Sequence, residues 1–239
     1  MHKPIQELTP RISDCLKVIY AMQERGQKVS TSAVSEQLGV SDATVTMLFK
    51  DFATAGWVEH LPYRGVHLTP LGEHKAKEVI RHHRLLELYL ERELGYTWDK
   101  VHAEADRLEH VISEEFEDKL DALLGYPTVD PHGDPIPGKD GVVASREGPT
   151  LAEVQEGQVV RILRVSDQDS EKLCYLGQLG LYPEVQVQVV ERAPFNGPVR
   201  LRVGQEKIEQ FVGKELAEQI VVSLSQERVG ENVVQETHL

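Results

Sequence analysis

The stretch PTVDPHGDPIPGKDG, residues 127–141, places four prolines and three glycines in fifteen positions. Proline fixes φ and removes an amide donor, and glycine is costly inside regular elements, so this run belongs to neither helix nor strand. It divides the chain. Before it, apolar residues recur every three or four positions, as in Ile12, Leu16 and Ile19, or Val45, Leu48, Phe49 and Phe52. Beyond about Thr150 they alternate: Val159, Val160, Ile162, Leu163 and Val165, then Val185, Val187 and Val189, then Val199, Leu201 and Val203. The first pattern predicts helices and the second a small all-β barrel. The fold class expected is α+β multidomain, because 239 residues exceed one compact unit at roughly 100–200 residues each.

Within the helical half, a first helix is predicted from Thr9 to about Arg25, with Gly26 as its stop. Ser30 or Thr31 caps a short second helix, Gly39 and Val40 turn the chain, and Ser41 or Asp42 caps a third that runs toward Gly56. The following WVEHLPYRGVHLTPLG reads as strands over Trp57–Leu61 and Val66–Leu68 around the turn Pro62-Tyr63-Arg64-Gly65. Three helices and a hairpin make a winged helix-turn-helix. Two longer helices follow, from about Pro70 to Leu94 and from about Trp98 to Leu124.

The formal charge of −13 argues against a nucleic-acid partner until its distribution is considered. Residues 1–80 balance nine Lys and Arg against nine Asp and Glu, whereas residues 86–125 carry four against twelve. The acid sits in the middle, where it suits cations, and the neutral N-terminal part can present a basic edge to DNA. Cys15 and Cys174 form no Cys-x-x-Cys pair, which excludes a zinc ribbon or disulfide scaffold. The sequence has neither a membrane-length apolar run nor the apolar stretch of a secretory signal, so a cytoplasmic protein without membrane attachment is expected.

Small polar residues at the start of a recognition helix let side chains and backbone donors approach base edges and phosphates. Ser41, Ala43, Thr44 and Thr46 meet that need, Lys50 can pair with a phosphate, and Arg64 at the wing tip can reach the backbone or minor groove. Singly, Ser41 also reads as a helix cap and Arg64 as hairpin decoration. In the acidic middle, His83 and Glu87 are four apart. His102, Asp106 and His110 are spaced by four, with Glu109 three beyond Asp106. Such stripes can surround divalent ions with nitrogen and oxygen ligands; the plainer alternative is a solvated face laced with pairs such as Arg107 with Asp106. There is no His-Glu-x-x-His, no Gly-x-Ser-x-Gly and no phosphate-cradling glycine loop, which leaves an enzyme the weaker reading.

The segments DCLKVIYAMQERG, VSEQLGVSDATVTMLFKDFATAGWVEH, RGVHLTPLG, RHHRLLELYL, KVHAEADRLEHVISEE and DPHGDPIPG resemble the diphtheria-toxin-repressor family of metal-dependent transcriptional regulators, from about Thr9 to Leu224. The resemblance implies a winged-helix DNA-binding domain over 1–72, an all-α metal-binding and dimerisation domain over 73–140 and a linker at 141–149. An SH3-like, ferrous-transport-accessory-like barrel over 150–226 and a polar tail at 227–239 complete the expected organisation. By the same resemblance a primary ion site falls on Asp14, Asp106, Glu109 and His110. An ancillary site falls on His83, Glu87 and His102, completed from the barrel by Asp169 or Glu171.

Iron-responsive members carry Met or Cys where this chain has Asp14 and Asp106, and hard oxygen ligands suit Mn²⁺ better than sulfur does. The chain therefore resembles the manganese branch, although Lys17 stands near a position where that branch has Glu, and Met47 where iron-responsive members have Gln. The expected function is a Mn²⁺-dependent repressor of metal-ion uptake genes, acting as a homodimer on a palindromic double-stranded operator. Alternatives are an Fe²⁺-dependent repressor of the same family, a winged-helix regulator answering to an organic ligand, and a metallohydrolase.

Overall fold

Side chains placed at helix ends define the N-terminal elements. Pro10 opens α1 (Pro10–Glu24), where its missing amide costs nothing. Ser30 caps α2 (Thr31–Leu38) by accepting from the Ala33 amide at 3.2 Å, and Gly39 closes that helix in the left-handed region. Ser41 likewise accepts from Thr44 N at 3.2 Å to start α3 (Asp42–Thr54). The computed structural model describes residues 9–61, 65–166 and 169–224. Its described residues form two compact units, the first running to Arg146 and also taking Asp169 and Ser170, the second formed by the other residues from Glu147 onward.

In the first unit, β1 (Val58–Leu61) pairs antiparallel with β2 (Gly65–Leu68), Val58 opposite Leu68, to form the wing. Leu16, Ile19, Val34, Val45, Phe49, Phe52 and Trp57 make the core beneath it, with the Phe52 and Trp57 rings 5.6 Å apart. Gly65 has φ +89°, and a Cβ there would lie 1.9 Å from the Val29 carbonyl oxygen, so only glycine permits the wing to meet the α1–α2 connection.

Helix α4 (Pro70–Arg92) joins two cores. At 1.5 Å per residue its 23 residues span about 35 Å. Ala76 near its start belongs to the winged-helix core. Leu85, Leu86, Leu88 and Leu90 pack with Val101, Ala105, Leu120, Leu124 and Ile136 in a second. The single helix expected from Trp98 to Leu124 is two: α5 (Val101–Leu108) and α6 (Glu114–Leu123). Ser113 explains the break. Its hydroxyl accepts from Phe116 N at 3.2 Å, and Glu114, Glu115 and Glu117 fill a first turn where carboxylates suit the helix dipole. The Pro/Gly run contains no helix or strand, yet it is fixed: Asp130 Oδ1 accepts from His132 N and Asp134 N, and Arg81 and Arg84 donate to the Pro137 and Pro135 carbonyls.

The second unit is an antiparallel sheet in the order β6-β5-β4-β3-β7, from β3 (Val159–Val165), β4 (Gln186–Arg192), β5 (Val199–Val203), β6 (Ile208–Val212) and β7 (Ile220–Leu224). The alternating pattern did not announce its two helices, α7 (Ser170–Gln178) and α8 (Lys214–Ala217). In α7, Leu173 and Leu176 are fully buried, three apart, which is a helical rather than a strand period. Among the described residues no helix is long and apolar enough to cross a membrane. The polar tail at 227–239 lies outside the described residues.

Candidate metal centre and nucleic-acid interface

Helix α4 presents His83 and Glu87 one turn apart on a buried face, and α5 brings His102 against them. His83 Nε2 lies 2.9 Å from Glu87 Oε1 and 2.9 Å from His102 Nδ1, which is itself 3.1 Å from Glu87 Oε1. Three ligand-type atoms from two helices thus converge. Burial alone would lower the His83 pKa, but Glu87 and Glu109 outweigh it and hold the ring at about 9. Burial would raise Glu87, and His83 with its fellow imidazoles drives it well below the ordinary value instead.

A second convergence uses the break between α5 and α6. Although α5 stops at Leu108, Glu109 at its cap still donates its amide to the Ala105 carbonyl at 2.9 Å and stays with Asp106 on one side, while His110 lies just beyond the helix. Glu109 and His110 both turn toward α1. His110 Nε2 stands 3.5 Å from Asp14 Oδ1 and 3.5 Å from Glu109 Oε1. The other Glu109 oxygen lies 2.5 Å from His83 Nδ1, so the primary and ancillary clusters are one network. Asp106, half exposed, groups with His83 and Glu109 and not with Asp14; Lys17 comes between, donating to Asp106 Oδ1 at 2.9 Å and Glu109 Oε1 at 2.5 Å. Arg107 pairs with Glu104 rather than with Asp106.

These residues fit a divalent cation. Asp14 Oδ1 is buried without a hydrogen-bond partner, a costly state that a cation or an added donor would relieve. The donor set is nitrogen and oxygen, with no sulfur; Cys15, next to Asp14, is fully buried in the winged-helix core, where burial pushes its thiol up to about 12. Burial likewise raises Asp14. Asp169 precedes α7 and Glu171 lies in its first turn, both solvent-exposed.

On α3 the outward face carries Ala43, Thr46, Met47 and Lys50, all exposed, with Thr44 half-buried. Ser41 spends its hydroxyl on the cap and on Thr44 Oγ1 at 2.9 Å, and Thr46 Oγ1 donates to the Asp42 carbonyl at 2.8 Å. Ala43 and Lys50 are left as the least encumbered contacts, one offering close approach and the other charge. Arg64 lies outside the described residues.

Three family models match the chain: the iron dependent repressor N-terminal DNA binding domain over residues 7–66, the iron dependent repressor metal binding and dimerisation domain over 69–138, and the FeoA domain over 150–224. The iron-dependent repressor IdeR of Mycobacterium leprae is 33% identical over 205 residues, covering 81% of this chain and 89% of the relative. The chain belongs to the iron-dependent, diphtheria-toxin repressor family. It is a metal-dependent transcriptional repressor of that family, whose members are repressors and not enzymes. The diphtheria toxin repressor of Corynebacterium diphtheriae is 37% identical over 125 residues, 52% of this chain and 55% of that protein. Among solved structures, a manganese-dependent transcriptional repressor in complex with manganese aligns with TM-score 0.81 at 38% identity, covering 90% of this chain and all of the other. The manganese regulator SloR aligns with TM-score 0.72 at 32% identity, covering 91% and 100%.

Sequence spacing missed three features of this repressor. Lys17 is one, since its partners are 89 and 92 residues away. The pair Asp130 and His132, buried in the Pro/Gly run, is another. His132 stacks on Trp98 and donates from Nε2 to the Trp98 carbonyl at 2.8 Å, with its other nitrogen 3.8 Å from Glu87. The third is Glu117, which takes Arg81 Nε at 2.5 Å and His82 Nε2 at 2.7 Å. The sequence signal for the last is the doubled histidine in RHHRLLE, of which only His83 fits the stripe with Glu87.

Proposed function

We propose that this chain is a manganese(II)-responsive repressor of metal-ion uptake genes that binds a palindromic DNA operator as a homodimer in the cytoplasm. The observation that carries the reading is the meeting of Asp14, on α1 of the winged helix, with Glu109 and His110 at the end of α5, side chains 95 or more residues apart in the chain. Asp14, Glu109 and His110, with Asp106 nearby, would hold one ion, and His83, Glu87 and His102 a second. A divalent cation supplies there the positive charge that clustered carboxylates lack. Through those ligands α1 is fixed against α5, and α3 is held in one orientation. Recognition helices in a dimer must match half-sites set by the DNA repeat, so fixing α1 raises the fraction of molecules in matching geometry. Couplings of this kind are about 1–3 kcal/mol, or roughly 5–150-fold in DNA affinity.

Oxygen and nitrogen donors without sulfur support Mn²⁺, as does the likeness to structures described as manganese-dependent. Fe²⁺ is the second reading, favoured by relatives named iron-dependent repressors. DNA-binding titrations with chelator and with Mn²⁺ or Fe²⁺ restored test both. Equal operator affinity with and without chelator overturns metal control, and a preference for Fe²⁺ at matched free concentrations overturns the choice of manganese.

A further inference from the structure

Lys17 reaches from α1 into the carboxylate cluster with 20% of its side chain exposed, a position that a strongly hydrated ammonium takes only when it is paired. Its Nζ donates to Asp106 Oδ1 at 2.9 Å and Glu109 Oε1 at 2.5 Å, and lies 3.8 Å from Asp14 Oδ1. Asp14 and Lys17 are three apart on α1, so both project from one side of the helix. The ammonium therefore stands among all three carboxylates of the cluster.

We propose that Lys17 is a permanent cation of this cluster, which limits it to a single divalent ion. The idea rests on the metal-responsive reading above and specifies its stoichiometry. Three carboxylates less one ammonium leave two negative charges, which one divalent ion balances. The ligand groups Asp14–Glu109–His110 and His83–Asp106–Glu109 share Glu109 and flank Nζ. Two divalent ions, one in each group, would both crowd the ammonium, and like charges at a few ångströms in a half-buried site repel strongly. The group nearer Asp14 is the one to fill, because Asp14 Oδ1 is buried there without a hydrogen bond, with His110 Nε2 at 3.5 Å and Lys17 Nζ at 3.8 Å.

Mn²⁺ stoichiometry of the full-length protein, read by calorimetry and by elemental analysis after dialysis, tests this alongside the Mn²⁺ electron-spin resonance spectrum. Wild type is expected to show only isolated-ion signals. Lys17→Glu is expected to bind one more ion per subunit and to show exchange coupling between neighbouring ions. Lys17→Gln, which removes the charge and adds no ligand, is expected to bind the ion of this cluster about tenfold or more tightly. It decides the matter if Lys17→Glu fails to fold. An unchanged ion count in folded Lys17→Glu, unchanged affinity in Lys17→Gln, or exchange coupling already present in wild type overturns the proposal while the repressor reading stands. Wild type that binds no Mn²⁺ overturns the manganese reading itself.

Discussion

Glu109 Oε2 and His83 Nδ1 are 2.5 Å apart, and the same carboxylate's other oxygen accepts from Lys17. One fully buried side chain thereby belongs to both candidate ion clusters. Glu109→Gln is expected to weaken Mn²⁺ binding about 10–100-fold at both clusters, as ligand and supporting-partner losses usually do. Asp14→Asn is expected to weaken only the cluster that includes His110. Calorimetric titration of the two variants checks this: a Glu109→Gln isotherm that loses one phase and keeps the other intact contradicts the shared role.

Lys50 is the exposed cation on the outward face of α3. Lys50→Ala should weaken binding to the operator and to unrelated DNA alike. It should also flatten the dependence of log K on log salt by about one unit, the signature of one lost phosphate contact. Fluorescence anisotropy across a salt series measures both quantities. A loss confined to the operator would instead make Lys50 a reader of bases.

Gly65 holds the wing against Val29, and its φ of +89° combines with a Cβ position 1.9 Å from a carbonyl oxygen. Gly65→Ala is expected to destabilise the first unit by about 2–4 kcal/mol, from left-handed strain together with overpacking. Urea unfolding followed by tryptophan fluorescence reads it, since Trp57 lies in the adjoining core. A loss below about 1 kcal/mol would mean that the hairpin moves away freely.

Acid stability should depend on Glu117. Burial would raise its pKa, but hydrogen bonds from His82 and Arg81 bring it from 4.5 to about 2. Folding thus favours the ionised form. The resulting stability is complete above the unfolded pKa and is lost as pH falls toward 2. It amounts to about 3 kcal/mol near neutrality and about 1 kcal/mol by about pH 3. The stability gap between wild type and Glu117→Gln, from urea midpoints, should shrink over that interval. A gap that stays constant down to about pH 3 would show that the pairing adds nothing in the folded state.

Local spacing was enough to predict the winged helix, the long helix after it and the stripe of His83 and Glu87, because contacts one turn apart follow from helical geometry alone. Caps at Ser30 and Ser41 were legible for the same reason. The Ser-Glu-Glu start of α6 was also present in the sequence, but the apolar period continues across it and hid the break at 109–113. The break lies beside the site: His110, just past the end of α5, stands 3.5 Å from Asp14 on α1.

Residue types and turn-length spacing alone determined that a winged-helix head is followed by helices rich in residue types able to hold a cation and then by a β unit. Tertiary structure decided that Asp14 and Lys17 meet Glu109, that one carboxylate serves both clusters, and that an ammonium occupies the space among the acids. The reason is physical. Helical periodicity places neighbours within a few residues, whereas contacts between α1 and the end of α5 depend on how α4 packs its two cores, and only the folded chain specifies that.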